Sequence, residues 1–190
     1  MKKINEKMMN IFFASLLLIT LGISSSQTFA LDVDTDDFID EAYAKGLAEI
    51  ESGKVAVQKS TFPAVQAYAK KMIEDHTAAN KDLRSLAVEK NLKLGDDTAM
   101  MAKAKNYILK QREGESFDAA YVNNQIESHK AAIELYKDAS SSKDEDVRQL
   151  AATSLPKLEQ HLADAKTLVS VLANGSKNIK VDDGKADHDE

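Results

Sequence analysis

The sequence predicts an all-α fold, a bundle of four long helices, and three observations point to it. Apolar residues recur at alternating spacings of three and four along four stretches of roughly 24–29 residues, the period that keeps side chains on one face of a helix. No stretch shows the period of two expected of a half-buried strand. Beyond residue 30 the chain has no tryptophan and only Phe38, Phe62 and Phe117 as phenylalanines, while alanine and leucine dominate, as in closely packed helices.

The first helix is expected from Asp34 to Gln58, opening on acidic residues that suit a helix N-terminus. Ser60-Thr61-Phe62-Pro63 breaks it, and Pro63 suits the first position of the second helix, which runs to about Lys90 before Asn91 and Gly95. Asp96 to Arg112 reads as a shorter amphipathic helix with Met101, Ala104 and Ile108 on one side. Gly114 stops it, and Ser116 is the expected N-cap of a helix reaching about Ala139. Ser140-Ser141-Ser142 forms a turn, and Asp144-Glu145-Asp146 starts the last helix, expected to end near Asn174-Gly175. Short turns near 61 and 142 make each flanking pair antiparallel. The extra helix spans roughly 25 Å at 1.5 Å per residue, enough to carry the chain back along the bundle between helices two and three. One long crossover between two hairpins is the ferritin-like connection; the alternative lays the extra helix across one end and keeps simple up-down order.

Residues 1–30 read as a signal peptide. Lys2, Lys3 and Lys7 form a basic start, Met8 to Ile23 is almost wholly apolar, and Thr28-Phe29-Ala30 offers a small-x-small cleavage site. The apolar run, about 16 residues, is short of the roughly 20 that span a bilayer, so no transmembrane anchor is expected in the mature chain. There is no cysteine, which excludes both disulfides and lipid modification of a processed N-terminus. The expected location is periplasmic or secreted, with outer-membrane association open. Removing residues 1–30 takes three lysines and one glutamate from a chain of net charge −6, leaving −8. That balance argues against nucleic acid as a partner. Residues 31–175 suit one domain, and 176–190, polar and without periodicity, read as a disordered acidic tail holding a solvent-exposed His188.

Three of the four histidines occupy equivalent places. His76 lies in the stripe Val65, Ala69, Met72, His76, Ala79, Leu83, Leu86. His129 lies in Val122, Ile126, His129, Ile133, Tyr136. His161 lies in Val147, Ala151, Ser154, Leu158, His161, Ala165, Leu168, Leu172. Each should aim at the core, where ring nitrogens need partners. Glu49 joins them on the stripe Ala42, Gly46, Glu49, Gly53, Ala56. Two glycines inside a helix cost roughly 1 kcal/mol each against alanine, which close approach of another helix would offset. Counted from the turn near 61, Glu49 and His76 differ in height by roughly 4 Å and can meet. Counted from the turn near 142, His129 and His161 are staggered by roughly 9 Å, loosened by Pro156 inside the last helix.

The segments Phe38-Ile39-Asp40-Glu41-Ala42, Gly46 to Lys54, Pro63 to Ala69, Met72 to Thr77, Phe117 to Tyr121 with His129, and Leu155-Pro156 with His161-Leu162 together resemble a known family. It is the secreted bacterial ferritin-like domain of unknown function often labelled "predicted outer-membrane protein", and the resemblance covers nearly all of 36–172. It implies a ferritin-like bundle and an exported location, and no assigned activity.

Glu49, His76, His129 and His161 are therefore the candidate metal ligands. A di-iron centre of the bundle type needs paired E-x-x-H motifs, whereas Ile73, Ile126 and Leu158 stand three residues before the histidines. One carboxylate with three imidazoles fits a single divalent ion, zinc, manganese or iron. In the competing reading the histidines are separately hydrogen-bonded core residues, with Tyr43, Tyr68, Tyr121, Gln125 and Tyr136 as partners, in a non-enzymatic module that binds an envelope protein. A third reading is a pH-responsive packing switch. Met72, Met100 and Met101 read as core filling rather than a soft-metal site. No phosphate loop, serine nucleophile or cysteine supports hydrolase or kinase chemistry.

Overall fold

Four long helices make up the described residues, 34–95 and 112–182, of the computed structural model, with no strand among them. The expected signal segment 1–30, all but Arg112 of the expected connecting helix, and residues 183–190 with His188 lie outside the described residues. Helix α1 spans Thr35–Lys59, α2 Pro63–Glu89, α3 Gly114–Ala139 and α4 Glu145–Asp182. Among the described residues no helix is long and apolar enough to cross a membrane.

Local chemistry sets the helix ends. Asp34 caps α1 by accepting from the amides of Asp36 and Asp37 at 2.9 and 3.4 Å, and Asp144 does the same for α4 with Asp146 and Val147. Pro63 occupies the first turn of α2, where no amide is needed. Asn91, at φ 57°, ends α2: Leu92 N donates to Ala87 O and Asn91 N to Val88 O, the paired closure of a left-handed helix terminus. Two expected ends shift. Helix α3 begins at Gly114 rather than after a Ser116 cap, and the Ser116 hydroxyl donates to Glu113 O inside the first turn. Helix α4 runs past Gly175 to Asp182, because one interior glycine, costing about 1 kcal/mol, does not by itself stop a helix. Pro156 lies within α4 on its exposed face, where water can satisfy the carbonyl it leaves unpaired.

Helix α1 packs chiefly on α2 and α3 on α4; α1–α3 and α2–α4 contacts close the bundle. Thr35 and Lys90 both reach Asp144, at 3.5 and 2.6 Å, at one end, and Lys59 pairs with Glu113 at 2.6 Å at the other. Hence α2 and α3 run in the same direction, and Gly95 and Arg112 lie toward opposite ends. The glycines of α1 mark its close approach to α2: a Cβ at Gly53 would meet Ala69 O at 3.1 Å and Ile73 Cγ1 at 2.9 Å.

The core divides into two apolar clusters. One gathers Phe38, Ile39, Leu83, Ile133, Tyr136 and Val147 toward the Asp144 end. The other gathers Val65, Met72, Phe117, Tyr121, Val122 and Ala165 toward the Glu113 end. On each helix the candidate polar residue falls between them: Glu49 between Tyr43 and Val55, His76 between Met72 and Leu83, His129 between Val122 and Ala132, His161 between Leu158 and Ala165.

Candidate metal centre

The three imidazoles meet in that middle layer. Ring centroids lie 5.6 Å apart for His76–His129, 5.5 Å for His76–His161 and 5.2 Å for His129–His161. The His129–His161 planes stand at 86°, so edges rather than faces converge. All three are buried, His129 and His161 at 1% and 0% exposure. One nitrogen from each ring lies within 4.8 Å of one from each of the others.

The stagger counted from the sequence does not keep His129 and His161 apart, for a reason of side-chain direction. Helical side chains lean toward their own N-terminus. In an antiparallel pair the residue nearer the turn on the first helix therefore leans away from the turn, and the farther one on the second leans back toward it. His129 and His161 lean toward each other, as do Glu49 and His76.

Hydrogen bonding fixes two of the rings. His129 Nδ1 lies 2.8 Å from Gln125 O. A carbonyl only accepts, so Nδ1 carries the proton and Nε2 keeps a lone pair. His161 Nε2 lies 2.8 Å from Asp75 Oδ2, which leaves the lone pair on Nδ1. Both remaining nitrogens, and His76 Nε2, are buried without a hydrogen-bond partner among the described residues. Among the described residues no tyrosine fills that role: Tyr68 donates to Gln125 Oε1 and His161 O, Tyr43 accepts from Arg84, and the Tyr121 hydroxyl has no partner there. Buried lone pairs on rings this close together can share one cation.

Burial keeps the His76 and His161 rings neutral. Burial pushes His76 down to about 4 despite the nearby Glu49, and burial pushes His161 down to about 4 despite its bond to Asp75. Burial works against a charged Asp75, but the bonds from His161 and Lys157 outweigh it and hold its carboxyl at about 2. Lys71 and Lys157 flank Asp75 at 3.4 and 3.0 Å. A carboxylate bonded to the outer nitrogen of an imidazole is the usual support of a metal-ligating histidine.

Glu49, 4% exposed, is placed beside this group and not within the mutually close triangle. Its Oε2 accepts from Gln125 Nε2 at 2.5 Å. Two residues of this layer escape the apolar periodicity of the sequence. Asp75 lies off the apolar stripe and serves a histidine on another helix. Asn80, buried on α2, occupies the core face where Ala79 had been expected, and the spacing Met72, His76, Asn80, Leu83 carries that signal.

The donor set fits a metal ion. Nitrogens bound to one ion at 2.0–2.1 Å are about 3.3 Å apart in tetrahedral geometry, so a shift of about 1 Å or less per ring would close the triangle. A cavity of about 1040 Å³, lined from all four helices and including the three histidines and Glu49, adjoins the site.

No curated protein and no solved structure matches the chain. A family model does match, over residues 22–168, and its description, a domain of unknown function, carries no activity. The chain belongs to that family, DUF4142.

Proposed function

We propose that this chain is an exported, ferritin-like bundle that holds a single divalent metal ion, zinc, manganese or iron, through His76, His129 and His161, for metal handling or stress protection in the cell envelope. The observation that carries this reading is the closeness of three imidazoles whose buried nitrogens have no partner among the described residues, two of them with the lone pair assigned by bonds to Gln125 O and Asp75. Three imidazoles suit borderline divalent ions, and a three-ligand set leaves a position for an exchangeable ligand. Glu49 supplies negative charge beside the ion and is held by Gln125. The ferritin-like label rests on the parallel run of α2 and α3, which calls for a connection along the bundle. Export rests on the basic and apolar N-terminal segment ending at Thr28-Phe29-Ala30.

Metal analysis of untagged protein recovered after export tests the reading, with mass spectrometry expected to find Leu31 as the first residue. Wild type should carry close to one ion per chain, and His76→Ala and His129→Ala should lose it while staying helical. Absence of bound zinc, manganese and iron after reconstitution of the folded protein would overturn it.

A further inference from the structure

We infer that the cavity beside the three histidines receives a small protic oxygen-donor ligand, neutral or singly charged, which gives a lone pair to the metal ion and a hydrogen bond to Asn80. The inference rests on the metal reading above and adds what the site is open to.

The first observation is space. A closed structural ion site is filled by four protein donors, whereas this one adjoins about 1040 Å³. One water occupies about 30 Å³ of liquid, and cavities of this size otherwise house organic ligands. The second is Asn80. It lines the cavity at 6% exposure, and its Nδ2 donates to Tyr43 O at 3.1 Å, which fixes the amide orientation. Among the described residues its Oδ1 is left buried with no partner. Such an acceptor is destabilising while unmet. Asn80 stands one helical turn beyond His76 on the same face of α2, so the two side chains start about 5–6 Å apart. A molecule of a few heavy atoms spans that interval.

The third is chemistry. An amide oxygen only accepts, so the ligand must present N–H or O–H. Seven carboxylates stand along the lining, Glu41, Glu49 and Asp75 among them, against Lys45 and Lys157. That balance disfavours multiply charged anions such as phosphate esters. The glycine at position 46 belongs to the same device: a Cβ there would lie 2.0 Å from Asn80 Oδ1, so the oxygen's position requires glycine.

Cobalt(II) in place of the native ion supplies visible absorption bands that respond to added ligands. Acetohydroxamate, an oxygen donor that keeps one N–H when bound as the anion, is the probe; its N-methyl form, which bound as the anion has no donor, and azide are controls. Wild type should bind all three saturably, with acetohydroxamate roughly 3- to 10-fold tighter than the N-methyl form, the worth of one hydrogen bond. Asn80→Ala, and Gly46→Ala by displacement of the amide, should erase that difference and leave azide binding unchanged. Bound cobalt whose bands ignore every ligand would overturn the inference while sparing the metal reading. An equal preference in wild type and Asn80→Ala would remove Asn80 from it. Failure to take up cobalt would overturn both.

Discussion

Gly46→Ala offers the sharpest test of how the upper part of the site is packed. The new Cβ would lie 2.0 Å from Asn80 Oδ1 and 2.8 Å from its Cγ, where about 3.5 Å is comfortable contact. Because both atoms are too close, the whole amide must swing aside, and its 3.1 Å bond to Tyr43 O goes with it. A buried amide stripped of that bond costs about 1–3 kcal/mol. Alanine gives back about 1 kcal/mol of helix propensity. The net loss is therefore about 0–2 kcal/mol, or up to about 6 °C in Tm for a domain of this size. In an Asn80→Ala background the methyl has room, so the same substitution should stabilise by about 1 kcal/mol. Urea denaturation of the wild type, both single variants and the double variant measures the coupling, expected at about 1–3 kcal/mol. If Gly46→Ala were equally stabilising with and without Asn80, the amide would not occupy the position described, and the hydrogen-bond anchor assigned to it would fall.

Three further outcomes are expected. His76 and His161 have folded pKa values of about 4 against an ordinary 6.5. Between those values the unfolded chain binds more protons, so metal-free protein loses stability on acidification through that window, by up to roughly 3 kcal/mol per ring. Asp75, held at about 2, loses its own contribution only below its ordinary 3.8; constant metal-free stability from pH 6.5 to 4.5 would contradict the burial of neutral rings. Asp75→Asn should lower metal affinity roughly 10- to 100-fold with helicity intact, read by competition with a chromophoric chelator, and an unchanged affinity would show that His161 does not depend on it. Tyr121→Phe removes a buried hydroxyl without a partner and should be neutral or stabilising, whereas Tyr68→Phe breaks bonds to Gln125 and His161 O and should cost about 1 kcal/mol in thermal unfolding.

Much of the fold was legible because period and punctuation agree. Pro63, Asn91 and Asp144 each stand where one helix must start or stop, and the stripes between them match the buried faces. The glycines of α1 foretold the close approach of α2, which Gly46 against Asn80 and Gly53 against Ala69 O make concrete. The histidines were visible as polar residues on apolar stripes, but their meeting was not, because counting Cα heights ignores the lean of side chains. Nor did periodicity point to Asp75: a residue one step from His76 is turned about 100° around the helix, toward α4 rather than the core. Asn80 was hidden by the alanine beside it, since an apolar pattern favours the apolar neighbour. The start of α3 was misread because Ser116 has a capping side chain but sits inside the first turn.

The adjacency of Asp75 and His76 has a consequence for how such a site can change. Two consecutive positions on one helix address two different rings: one supplies a donor and the other steadies His161 on a separate helix. Inserting or deleting a single residue upstream in α2 would rotate both together and take away the ligand and the brace in one event. Divergence of this centre should thus proceed by replacing side chains in place, with the number of residues between the Phe62-Pro63 corner and His76 held constant.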